Sequence, residues 1–144
     1  MAENLNYGVS GSYCYDNDLS NCDIYGRLYE WNTAMSGASS SNATPSGVQG
    51  VCPSGWHLPS DAEWTILNDY VDANNGSDGI GNSLKATTGW NVYSGVTATD
   101  QFGFSALPAA SRDYRGNLRD LGTSGGWWSA SVYGVGGYAY IRSL

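Results

Sequence analysis

The chain has 144 residues, a length that suits one domain, and residues 1–144 are read as a single domain large enough to bury a core. Charged residues make up only 13%, against about a quarter in an ordinary soluble domain, and the net charge is −7. Six basic residues spread from Arg27 to Arg142 exclude a nucleic-acid partner, which demands clustered Lys and Arg, and no stretch approaches the roughly 18 apolar residues of a membrane span.

Residues 1–23 read as irregular, turn-rich chain, with Asp16, Asn17, Asp18 and Asn21 as turn formers. Met1 to Asn4 shows neither the basic start nor the apolar run of a signal peptide, so if the protein is exported its signal is expected upstream. Cys14 and Cys22 read most simply as a short disulfide loop, two free buried thiols being the alternative. A zinc pair fits poorly, because no matching His/Cys partners exist. Cys52 is left over, which in an exported protein suggests a missing partner and a truncated chain.

A helix is expected from Tyr25 to Met35, with Leu28, Trp31 and Met35 on one face. Residues 36–50 are Ser/Gly/Ala/Asn-rich and read as a flexible loop. The strongest local signal follows: Ser60-Asp61-Ala62-Glu63 is a capping box, and Trp64, Leu67 and Val71 continue a helix from Asp61 to Val71. Ser83 to Ala86 suggests one helical turn. Trp90–Tyr93 and Phe102–Leu107 are strand candidates, and Arg112–Asp120 a hairpin tip. Near the end, Trp127 to Tyr133 and Tyr138 to Arg142 alternate with period two around Gly134–Gly137, which is the pattern of a β-hairpin. Two helices early and short antiparallel strands late give an α+β fold.

Several segments in order carry a resemblance: Met-Ala-Glu-Asn-Leu-Asn-Tyr (1–7), Tyr-Gly-Arg-Leu-Tyr-Glu-Trp (25–31), Cys-Pro-Ser-Gly-Trp-His-Leu-Pro-Ser-Asp-Ala-Glu-Trp (52–64), Gly-Phe-Ser-Ala-Leu-Pro (103–108) and Trp-Trp-Ser-Ala-Ser (127–131). The chain resembles the Fibrobacter succinogenes major paralogous domain along nearly its whole length. That resemblance implies a C-type-lectin-like fold, here truncated at both ends, on secreted or surface-anchored bacterial proteins, often lipoproteins. It also implies a later cysteine as the partner of Cys52.

The terminal hairpin is the leading ligand-binding candidate. Tyr138, Tyr140 and Arg142 share one run, and Trp127, Ser129, Ser131 and Tyr133 the other. Tyr, Trp and Arg dominate binding hot spots, and aromatic rings stack on sugar faces. Core packing is the competing expectation for Trp127 and Trp128, since Trp is usually buried. Arg112, Asp113, Tyr114 and Arg115 sit on a loop beside the hairpin and offer a candidate polar rim, although a surface turn with a solvated ion pair is the more frequent outcome of such a pattern. Asp16, Asp18 and Asp23, and separately Asp72, Asn74, Ser77 and Asp78, raise calcium, but neither run has the EF-hand pattern and turn chemistry is the better explanation. No other cofactor is indicated. His57 has no identifiable catalytic partner, and Gly134–Gly137 lacks the features of a phosphate loop.

The reading that follows is a non-enzymatic, extracytoplasmic domain binding a glycan or protein. A structural surface module without a small ligand is the alternative. An enzyme related to the formylglycine-generating enzymes, which share a lectin-like core, would need a late cysteine pair, and no cysteine follows Cys52.

Overall fold

The computed structural model describes residues 3–75, 78–92 and 97–144. Strand β1 (Ser12–Tyr13), a 3₁₀ turn (Tyr15–Asn17), helix α1 (Leu19–Tyr25), strand β2 (Leu28–Tyr29) and helix α2 (Trp31–Met35) come first. Helices α3 (Asp61–Asn74) and α4 (Gly79–Leu84) follow, then strands β3 (Ala109–Arg112), β4 (Leu118–Leu121), β5 (Gly126–Tyr133) and β6 (Tyr138–Ser143). The strands pair as three antiparallel ladders, β1–β2, β3–β4 and β5–β6. The class is α+β, with four helices among the described residues where the sequence suggested two.

The extra order lies near the N-terminus. The Asp18 carboxylate accepts the Ser20 N–H at 2.9 Å, capping α1, and that bond holds the Asp18 pKa below its ordinary value. Cys22 on α1 is disulfide-bonded to Cys14, and both are buried. Gly26 ends α1 with φ 77°, and a Cβ there would lie 2.5 Å from Asn4 Cβ. The helix expected from Tyr25 is therefore broken. Leu28 and Tyr29 pair with Tyr13 and Ser12, Glu30 is extended, and only Trp31–Met35 is helical. The spacing of Leu28, Trp31 and Met35 crossed a strand–helix junction.

Residues 36–50 form no regular element, yet they are not a free loop. Ser46 and Val48 are buried; Ser46 Oγ donates to Leu58 O at 2.6 Å and Leu58 N–H to Val48 O at 2.8 Å. Met35, Val48 and Ala130 make the centre of a core flanked by Trp31 and Leu58. Helix α3 starts at the expected capping box, Ser60 Oγ accepting the Glu63 N–H and Glu63 Oε2 the Ser60 N–H. It runs three residues past Val71, to Asn74.

The strand expected over Phe102–Leu107 does not form. Asp100 accepts from both the N–H and the hydroxyl of Ser105 at 2.7 Å, Ser105 sits at φ 54°, and Ala106 makes only an isolated parallel bridge to Lys85. The helical turn near Ser83 is displaced upstream as α4. Trp90–Val92 carries no strand, and Tyr93 lies outside the described residues. Both expected hairpins are present: β3–β4, closed at Arg112–Leu118, and β5–β6.

Candidate ligand-binding site

The β5–β6 ladder pairs Trp127 with Arg142 and Trp128 with Ile141, then shifts, resuming at Val132–Ala139 and Tyr133–Tyr138. The centre of β5 bulges because its backbone bonds elsewhere. Ala130 N–H donates to Pro59 O at 2.8 Å, Ala130 O accepts the Ser41 N–H at 3.0 Å, and Ser129 O accepts the Trp31 indole N–H at 2.8 Å. Those bonds satisfy groups that the ladder leaves free and pin β5 against α2 and the loops before α3.

The consequence is two unlike ends. At the tip Tyr133, Tyr138 and Tyr140 are 48%, 66% and 37% exposed. The Tyr133 ring lies 4.8 Å from that of Tyr140 and 5.9 Å from that of Tyr138, centroid to centroid. Their hydroxyls take no part in the bonding that anchors the rest of the hairpin.

The other candidates on the hairpin are committed inward. Arg142 is bonded from Nε to Asp61 Oδ1 at 2.9 Å, a second contact from Nη2 completing the ion pair. Ser129 is fully buried and presents no surface to a ligand. Ser131, also buried, donates to Ser41 O at 2.8 Å and accepts the Asp61 N–H at 2.9 Å. Trp127 is half-buried, donating to Asn4 Oδ1 at 3.2 Å and packing edge-on against Phe104. Trp128 donates to Tyr29 O at 2.7 Å.

The rim expected from Arg112 to Arg115 faces a different neighbour. The Arg112 guanidinium lies 3.8 Å over the Tyr13 ring, so the β3–β4 tip rests on the N-terminal unit. Tyr114 is 87% exposed, its hydroxyl accepting from Arg115 Nε at 2.8 Å. Asp113 accepts the Asn117 side-chain amide and the backbone N–H groups of Asn117 and Arg115, which holds its pKa below the ordinary value. This is turn chemistry.

The calcium expectation meets the same explanation. Among the described residues no group of three or more His, Cys, Asp or Glu side chains is arranged to hold a metal ion. Asp16, Asp18 and Asp23 do not converge: Asp18 caps α1 and Asp23 accepts from Asn6 at 3.2 Å. Of the second run, Ser77 lies outside the described residues.

His57, for which the sequence offered no partner, has an acidic one: its Nε2 lies 2.8 Å from Oε1 of Glu63, the capping-box residue of α3. Burial works to raise the Glu63 pKa, but the bonds from Ser60, His57 and Ser46 together hold it below the usual carboxylate range. Cys52 is a half-buried free thiol whose pKa burial pushes up.

One arrangement was invisible in the sequence. Trp64, Phe104 and Trp127 stack edge-on in series, at 6.0 and 6.2 Å, along a shallow cleft of about 470 Å3 bounded by α4 and the end of β6. Only the aromatic character of each segment hinted at it.

No curated protein and no solved structure matches the chain. No helix of the described residues is long and apolar enough to cross a membrane. The family model of the Fibrobacter succinogenes major domain matches residues 1–137, which takes in α1 to α4 and the hairpin as far as its turn, and the chain belongs to that family.

Proposed function

We propose that the chain is an extracytoplasmic, non-enzymatic binding domain with a C-type-lectin-like architecture, recognising a glycan or protein ligand through the tip of its terminal hairpin. The observation that carries this reading is the cluster of Tyr133, Tyr138 and Tyr140, exposed together on a strand pair whose other end is anchored in the core. Tyrosine is among the residues that dominate binding hot spots, and three exposed in contact make a larger patch than the cross-strand pair of Tyr133 with Tyr138 alone. The lectin-like architecture is supported by early helices followed by short antiparallel strands ending in a long hairpin. An oxidising compartment is supported by the Cys14–Cys22 disulfide. The absence of catalysis is supported by the raised pKa of the Cys52 thiol, which makes it a poor nucleophile.

A structural surface module is the second reading. It is favoured by the inward commitment of Arg142, Ser129 and Trp127, which leaves the tyrosines as the free part of the hairpin. Binding of the wild-type domain and of a Tyr138→Ala/Tyr140→Ala variant to a glycan array and to bacterial cell surfaces separates the two. Binding lost in the variant, with circular dichroism unchanged, supports recognition. A well-folded domain that binds neither sinks it in favour of the structural module.

A further inference from the structure

Resting on the recognition reading, we infer that the ligand of the tyrosine face is a neutral saccharide, held by ring stacking and without calcium. Four observations converge on that chemistry. The face carries no available charge: Arg142, the charged residue of β6, is taken up by Asp61 and lies within 3.3 Å of Thr65 Oγ1 as well. An anionic ligand would find no counter-charge there and would approach a chain of net charge −7. A cationic ligand would find ring faces but no carboxylate among the three phenols, so cation–π attraction alone would hold it.

The three phenols bring no carboxylate with them, and among the described residues no group of three or more His, Cys, Asp or Glu is arranged to hold a metal ion, which favours contact by rings and hydroxyls over a bridging cation. What remains is three rings leaning against one another at 38° and 46°, with free hydroxyls at their edges. A pyranose offers the complement, a flat C–H face flanked by hydroxyls that exchange hydrogen bonds with phenols.

Size separates a sugar from a protein. Three tyrosines exposed to this degree offer on the order of 300 Å2, against roughly 800 Å2 that each partner gives to a specific protein interface. The patch therefore fits one or two sugar rings. Two clefts elsewhere on the surface are lined by other residues and not by these three.

The test uses immobilised neutral oligosaccharides beside sialylated and uronic-acid-bearing ones, probed in calcium or in EDTA. Wild type, Tyr138→Ala/Tyr140→Ala and Tyr138→Phe/Tyr140→Phe are compared, each checked for folding by circular dichroism. The expected result is binding to neutral glycans that EDTA does not change, weakened about tenfold or more by the alanines and retained within a few-fold by the phenylalanines, which keep the rings. Calcium-dependent binding, a preference for the acidic glycans, or no glycan binding overturns the inference. Intact bacterial cells tell that failure from failure of the recognition reading. Tyrosine-dependent cell binding abolished by protease but not by periodate would leave recognition standing with a protein ligand. No tyrosine-dependent binding to glycans or cells would end both.

Discussion

Arg142 on β6 reaches Asp61, the first residue of α3, and holds its Oδ1 from both Nε, at 2.9 Å, and Nη2. The pair joins the last strand to the helix announced by the capping box, and its side chains are only 32% and 20% exposed. Asp61 also sits where the helix dipole favours negative charge.

That position makes Arg142 a stabilising residue. Arg142→Ala and Asp61→Ala are each expected to cost about 1–3 kcal/mol, with a coupling near 1 kcal/mol in the double-mutant cycle, read by urea denaturation. Additive single effects would mean that the pair contributes nothing.

Glu63 gives the fold an acid limit. Its folded pKa lies below the ordinary value, so its contribution is present above the unfolded pKa, about 4.3, and is lost as pH falls through the folded value. Glu63→Gln is expected to destabilise the protein by about 1–2 kcal/mol at pH 7 and by progressively less below about pH 4. Denaturation of both proteins across pH 3–7 checks this. A gap that stays constant with pH would show that the charge is irrelevant.

The Cys14–Cys22 bond closes a short loop that spans the 3₁₀ turn and ends within α1. A double Cys→Ala substitution at positions 14 and 22 is expected to lose about 2–3 kcal/mol. Because α1 is capped only by Asp18 and leaves Leu19 and Ile24 exposed, the loss should centre there. Amide hydrogen exchange would show residues 12–26 opening before α3.

Ser131 is the most connected hydroxyl in the hairpin. Ser131→Ala leaves the Asp61 N–H and the Ser41 carbonyl without this partner in a buried site, and the expected cost is about 1–3 kcal/mol by thermal or chemical denaturation. A neutral substitution would mean that the neighbours re-pair.

What could be read from the sequence was local. The capping box at Ser60–Glu63 and the Gly-rich turn between two alternating runs each lie within a few residues, and both elements formed. Helix α1 was hidden because Asp18 caps a segment without an apolar stripe, stabilised by a crosslink to Cys14. The helix expected from Tyr25 failed because three apolar residues happened to keep helical spacing across β2 and α2. Within the site, the tyrosines were legible as types that bind, but the fate of Arg142 was not: its partner lies 81 residues away. Ser129 looked solvent-facing by alternation, and the bulge that buries it depends on Trp31 and the loop before α3.

The bulge at Ser129–Ser131 divides the labour of the hairpin. Substitutions at its anchors remove bonds that hold β5 to α2 and the loops before α3, whereas substitutions at Tyr133, Tyr138 and Tyr140 leave those bonds in place.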